Sequence, residues 1–318
     1  MRRSRVLLTT AAVGVAGFVA KRSLDAKVAS WSTNPDTTDG DPLTMPEGTP
    51  VEVTAEDGAV LRGLDCGDGP TVMLVHCWTG NVGFWAPVAR RLVDAGFRVL
   101  AVDQRGHGES DRGEAPYRPE TLGSDVRRWV EELDLRYAVL AGHSMGGLAS
   151  IAFSCQHAEL ATERVKGLVL VATLAAPVKD PRLPDIDVDI PKFLPLADRL
   201  MRPTDYGLFG LLGVFGTRPA RSQLEAARAG WYGTDPSVRK EAAEMMMDFD
   251  LRPELAAIDV PTHVVAGTHD QLTHLPGNEE IAEMILGAEI DVLPGLGHML
   301  PWEAPDQVTE HIIQLSKG

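Results

Sequence analysis

Cysteine is scarce in this sequence. Three occur in 318 residues, Cys66, Cys77 and Cys155, an odd number without Cys-x-x-Cys spacing, which excludes a disulfide framework and a cysteine zinc site. Lysine and arginine are also in deficit, 30 against 45 aspartates and glutamates, and the formal net charge of −15 repels phosphate backbones. General nucleic-acid binding is excluded on that ground. What the chain does have is apolar material, 44% hydrophobic against 24% charged residues, enough for a buried core in one large domain or two small ones.

The N-terminus lacks a full-length membrane span. Val6 to Ala20 is uncharged and mostly apolar, but as a helix it covers about 22 Å, short of a roughly 30 Å hydrocarbon layer unless Lys21 and Arg22 snorkel. Its length suits the apolar region of a signal peptide, and Arg2-Arg3 ahead of it resembles a twin-arginine signal. No Ala-x-Ala cleavage site follows; Val28-Ala29-Ser30 is the nearest substitute. Residues 1–30 are therefore expected to be an uncleaved anchor or a cleaved signal, giving membrane association or export, with a cytoplasmic protein bearing an N-terminal helix as the alternative.

Residues 31–50, rich in Ser, Thr, Asp, Gly and Pro, read as a linker. Val51 to Thr54 and Val60 to Leu64 alternate around Asp57-Gly58, which predicts an antiparallel hairpin. Apolar runs follow at Thr71 to His76, Arg98 to Val102, Tyr137 to Gly142, Val165 to Ala172, Thr262 to Gly267 and Ile290 to Leu293, the length of buried parallel strands. Helical patterns over Phe84 to Ala95, Pro119 to Leu133, Met145 to His157, Asn278 to Leu286 and Pro305 to Leu315 separate most of them. The alternation predicts an α/β fold, a mostly parallel sheet with helices on both faces. About ninety residues between the fourth and fifth of these runs exceed any simple connection. Residues 175–255 are taken as a cap insertion, with Gln223 to Asp248 helical, and residues 51–174 and 256–318 as the catalytic domain.

Gly142-His143-Ser144-Met145-Gly146 lies between a strand run and a helical pattern, the context a nucleophile elbow requires. A sharp turn there lifts Ser144 out at a helix N-terminus, and neighbouring segments come so close that only tiny residues fit at 142 and 146.

With these residues on the page, the sequence resembles the α/β-hydrolase family over about Val51 to Gly318, apart from the cap. Asp103 to Ser110 is similar to the family's loop after the fourth strand, so Asp103 and His107 are read as scaffold. Gly267-Thr268-His269-Asp270 resembles the acid-bearing turn, and Gly295-Leu296-Gly297-His298 with Glu303-Ala304-Pro305 the histidine loop. Ser144, Asp270 and His298 then follow the chain order of nucleophile, acid and base. Serine needs a base at neutral pH, and His298, in a Gly-flanked loop after a strand, suits it better than His157 or His311 within helical patterns. Asp248 and Asp250 are substitutes for the acid. The resemblance assigns the oxyanion donors to the backbone N–H groups of Met145 and Trp78, with Cys77 where the family usually has glycine.

The expected function is a serine hydrolase that cleaves carboxylic esters through an acyl-enzyme, with no cofactor and no metal implied. The substrate is a small-molecule or lipid ester, with His143, Cys77, Leu211 and Phe215 lining its site. The apolar middle of the cap favours an acyl chain, and its glycines at 207, 210, 213 and 216 predict a segment that opens. The same fold hosts thioesterases, carbon–carbon bond hydrolases and cofactor-free perhydrolases, and a non-catalytic binding protein on this scaffold is the reading from another class. Oligomeric state is left open.

Overall fold

The computed structural model describes residues 22–29, 43–177 and 190–317. The apolar run Val6 to Ala20 lies outside the described residues, and among those described no helix is long and apolar enough to cross a membrane.

Eight strands form one sheet in the order β1-β2-β4-β3-β5-β6-β7-β8. β1 (Gly48–Thr54) and β2 (Val60–Cys66) make the hairpin, with Val51 opposite Gly63 and Thr54 opposite Val60. β2 also pairs antiparallel with β4 (Arg98–Val102), and every pairing among β4, β3 (Thr71–Val75), β5 (Ala138–His143), β6 (Val165–Val171), β7 (Thr262–Gly267) and β8 (Glu289–Leu293) is parallel. The continuous apolar runs reflect a sheet buried on both faces. Successive strand residues point to opposite sides. Met73, Val75, Leu100, Leu140 and Leu168 join one core with α2 (Pro119–Glu132), α3 (Met145–Gln156) and Ile281 of α9 (Leu275–Met284). Val72, Leu74, Val99, Val139 and Val169 join the other with α1 (Ala86–Asp94) and α11 (Pro305–Lys317). A short helix, α4 (Ala158–Arg164), leads into β6, and another, α10 (Leu300–Glu303), precedes α11.

Two expectations change. The linker ends early: Gly48 to Pro50 already pair with Leu64 to Cys66, and Leu43 and Met45 pack against the core. The helix read over Gln223 to Asp248 is two helices, α7 (Arg221–Gly233) and α8 (Pro236–Met247). Asp235 breaks it, because its carboxylate accepts the Ser237 N–H at 2.7 Å as an N-cap and Pro236 occupies the first helical position, where a missing N–H costs nothing. With α5 (Ile190–Met201) and α6 (Thr204–Leu211), these helices stand between β6 and β7, beyond the carboxyl ends of the parallel strands.

Candidate active site

Ser144 sits between the last residue of β5 and the first of α3, at φ +54° and ψ −118°, a conformation that a residue with a side chain holds only under constraint. The constraint is visible. Its N–H donates to Val171 O at 3.0 Å, and its carbonyl accepts from Leu148 N at 3.0 Å and from Thr173 Oγ1 at 2.7 Å. Close backbone approach explains the two glycines of the elbow. A Cβ on Gly142 would lie 2.4 Å from Gly146 O, and one on Gly146 only 2.2 Å from Val75 O. The Ser144 side chain makes no hydrogen bond among the described residues; in unliganded sites such contacts tighten on binding.

His298 and Asp270 are both 4% exposed, and His298 Nδ1 lies 2.9 Å from Asp270 Oδ2. Burial alone would raise the Asp270 pKa, but the His298 ring, the Thr273 hydroxyl at 2.5 Å and the Thr273 N–H at 3.0 Å outweigh it and hold the carboxyl well below its ordinary value. An ionised carboxylate only accepts, so His298 Nδ1–H is the donor and Nε2 is the ring nitrogen turned away from the acid. Asp248 and Asp250 are exposed, and Asp250 is paired with Arg252 at 2.7 Å.

His143 is fully buried between the Phe84 ring, stacked at 4.9 Å, and the His298 ring at 4.7 Å. Burial and then the neighbouring His298 push its pKa well below the ordinary histidine value, so it is neutral, and its Nε2–H donates to His298 O at 2.8 Å. It therefore supports the histidine loop and does not face substrate, contrary to the expectation for it. Phe215 also differs: it is 8% exposed and its ring lies 6.3 Å from that of Trp302, in the same core cluster against which half-buried Leu211 packs. Apolarity in the sequence did not separate a packing residue from a pocket wall.

Met145 opens α3, so its N–H has no intrahelical acceptor. The Trp78 N–H makes no hydrogen bond among the described residues, while the Cys77 carbonyl closes the adjoining turn by accepting from Gly80 N at 3.0 Å. Cys77 is buried and its thiol is pushed up to about 12 by desolvation, so it is neutral at physiological pH. The cap roofs this turn: Trp78 meets Trp231 of α7 edge-on at 5.4 Å, and Gly230 approaches so closely that a Cβ would lie 2.2 Å from Thr79 O.

Asp103 is scaffold. Its two carboxylate oxygens accept Val82 N at 2.7 Å and Glu109 N at 2.9 Å, and desolvation raises its pKa to about 6. His107, fully buried, is held neutral by the same effect and by nearby His76. His311 lies on the far helix against Asp291, at 3.0 Å.

One residue has a position the sequence reading missed. Glu303 Oε1 accepts Gly297 N at 3.0 Å, and Oε2 accepts Gly216 N and Thr217 N, both at 2.8 Å. The carboxylate thus fastens the cap to the histidine loop, and His298 N donates to Val214 O at 2.9 Å beside it. Gly216 is needed for this docking, since a Cβ would lie 2.3 Å from Gly295 O. Thr273, which holds Asp270, had no sequence signal either.

The comparisons with known proteins agree with this architecture. Residues 70–305 match the family described as alpha/beta hydrolase fold. A Bacillus subtilis (strain 168) protein named AB hydrolase superfamily protein YisY is 30% identical over 278 residues, 84% of this chain and 98% of its own length. Non-heme chloroperoxidase CPO-A1 of Kitasatospora aureofaciens is 29% identical, covering 77% of this chain and 90% of that one. Among solved structures, an esterase from Exiguobacterium antarcticum superposes with a TM-score of 0.75 at 25% identity, over 86% of this chain and all of that one. The chain belongs to the alpha/beta hydrolase family.

Proposed function

We propose that the protein is a serine hydrolase that cleaves carboxylic esters, with Ser144 as nucleophile, His298 as base and then acid, and Asp270 as the group that orients the ring. The observation that carries this reading is the buried Asp270–His298 pair, with the His298 carbonyl tied by a hydrogen bond to His143, the residue before the strained Ser144. His298 Nε2 takes the Ser144 proton as Oγ attacks the ester carbonyl, and Asp270 stabilises the imidazolium that forms. The tetrahedral oxyanion is met by the N–H groups of Met145 and Trp78. Collapse breaks the bond to the alcohol, which leaves with the proton from His298. A water molecule, deprotonated by the same ring, then releases the acid and restores Ser144.

The likeness to an esterase supports ester cleavage, and the apolar composition of the cap between Phe193 and Phe215 supports an acyl chain in the substrate. A second reading has its own observation, the relative named a chloroperoxidase: hydrogen peroxide in place of water would open the acyl-enzyme and release a peracid.

A fluorophosphonate probe tests the proposal directly. It is expected to label the protein, and Ser144→Ala is expected to lose both labelling and turnover of a p-nitrophenyl ester; labelling that persists in Ser144→Ala would overturn the assignment. Peracid formation from acetate and peroxide, faster than hydrolysis of any ester, would favour the second reading.

A further inference from the structure

The cap carries an amphipathic helix turned the wrong way for a water-facing surface. In α5, Pro191 and Leu194 are buried and Asp198 bonds to Trp231 Nε1 at 2.6 Å and Arg239, so that side faces the protein. The other side presents Phe193, Leu196 and Leu200, which are 55%, 51% and 60% exposed. Their spacing of three and four residues stacks them in one stripe. Lys192 and Arg199, seven residues apart and both exposed, run along one edge of that stripe, and exposed Arg202 follows the helix. Soluble surfaces rarely gather large apolar side chains this way, whereas a helix lying in a lipid interface pairs Phe and Leu with flanking lysine and arginine.

A second observation brings the N-terminal segment to the same cap. Residues 22–29 form a short helix with Val28 buried, joined to the cap by a hydrogen bond from the Tyr206 hydroxyl of α6 to the Asp25 carboxylate. The sequence immediately before it is the apolar run Val6 to Ala20, bounded by Arg2, Arg3 and Arg5 on one side and Lys21 and Arg22 on the other. The one strongly basic, apolar end of an acidic chain therefore enters the described fold at the same cap that bears the exposed stripe.

We propose that α5 is the face on which the protein rests against an anionic lipid bilayer, with Phe193, Leu196 and Leu200 entering the interface and Lys192, Arg199 and Arg202 against the head groups. Basic side chains near an anionic surface and apolar side chains below it act together. The inference stands on this surface and does not depend on which bond the Ser144 site cleaves. Its functional meaning is that the cap over that site faces the phase in which apolar esters concentrate.

The test uses the full chain with an environment-sensitive fluorophore on a cysteine introduced by Leu196→Cys, and a control at Tyr137→Cys. Tyr137 is 74% exposed and immediately precedes β5, at the end opposite Ser144; the parent chain gives the labelling background from its native cysteines. With vesicles of phosphatidylcholine and phosphatidylglycerol, the label at 196 is expected to shift to the blue and the label at 137 to stay in water. Adding Leu200→Asp is expected to raise the lipid concentration for half the shift about tenfold, since burying one leucine side chain accounts for a factor of that order. Three results would overturn the proposal: vesicle binding with the 196 label still in water, which leaves residues 1–21 as the only contact; equal shifts at 196 and 137; or a 196 shift without lipid that grows with protein concentration, which assigns the stripe to a second copy of the chain.

Discussion

His143 Nε2 donates a hydrogen bond to the backbone carbonyl of His298 at 2.8 Å, joining the residue before Ser144 to the residue that would take its proton. The two segments are far apart in the chain, and this bond ties them together. His143→Phe keeps an aromatic ring against Phe84 but leaves a buried carbonyl without its donor. Loss of one buried partner costs roughly 1–3 kcal/mol of stability. Ester turnover is expected to fall about tenfold with it, because positioning errors at the base weaken proton transfer. Thermal unfolding and kcat/KM on a p-nitrophenyl ester check both; an unchanged kcat/KM would show that the bond positions nothing.

Glu303 gives a second positioning prediction. Its carboxylate accepts four donors across the seam between the cap and the histidine loop, including the Thr217 hydroxyl at 3.0 Å. Glu303→Gln keeps the shape but presents an amide N–H to backbone N–H groups on one side. Proteolysis within residues 204–220 is expected to accelerate several-fold and KM for a long-chain ester to rise more than KM for acetate. Glu303→Asp, which keeps the charge, should recover part of the loss. A cap equally resistant to protease in all three proteins would remove the clamp from the account.

The ionised Asp270 makes a pH prediction. Its native pKa lies below the value of about 3.9 for the unfolded chain, so it contributes stability above about pH 4 and that contribution drains away as pH falls below it. Asp270→Asn cannot titrate there. Between pH 5 and pH 3 the unfolding free energy of the variant is expected to decline less steeply than that of the parent chain. At pH 7 the same change should cost about a thousandfold or more in kcat, because the amide selects the wrong imidazole tautomer. Parallel acid limbs for the two proteins would mean that the carboxylate is not held as its hydrogen bonds imply.

Much of this was legible from the sequence, for reasons that also mark where reading stopped. Strands buried on both faces leave uninterrupted apolar runs, so Thr262 to Gly267 was read with its observed bounds, and the steric demand at Gly142 and Gly146 is local enough to appear as a pentapeptide. Glu303 was not legible as a clamp because its acceptors serve Gly216 and Thr217, 87 and 86 residues away, and Gly297, six residues away. Phe215 and His143 were placed at the substrate because the sequence records what a side chain is made of and not which neighbour reaches it first. Trp302 reaches Phe215, and Phe84 with His298 encloses His143.

Cys77 tests the oxyanion loop. With its thiol neutral and buried, thiol reagents at pH 8 are expected to leave activity unchanged in the folded protein. Cys77→Ser and Cys77→Gly should keep at least half of the parent kcat/KM, because the loop's part in the proposed chemistry is a backbone N–H at Trp78. Loss of turnover in both variants, with turnover spared in Ser144→Ala, would transfer the nucleophile to the thiol.

Acyl-chain length is the last and most informative variable. The cap approaches the site through α7, where Gly230 and Trp231 meet Thr79 and Trp78, and through Val214 to Gly216, which lie on the histidine loop. The glycines of the cap divide here: Gly207 and Gly216 fill tight approaches, to Met201 O and Gly295 O, while a Cβ at Gly213 would meet open space. If the cap encloses an acyl chain, each methylene it buries contributes about 0.8 kcal/mol, close to a fourfold gain in kcat/KM per carbon until the pocket is full. Measured across p-nitrophenyl esters from acetate to palmitate, kcat/KM is expected to rise to a medium chain and then level or fall. Gly213→Ala should leave that profile in place, and Gly216→Ala, which forces the cap off the histidine loop, should flatten it. A steady decline from acetate onward would mean that the docked cap closes a small pocket, and the protein would then be a small-ester hydrolase or perhydrolase in place of one selecting an acyl chain.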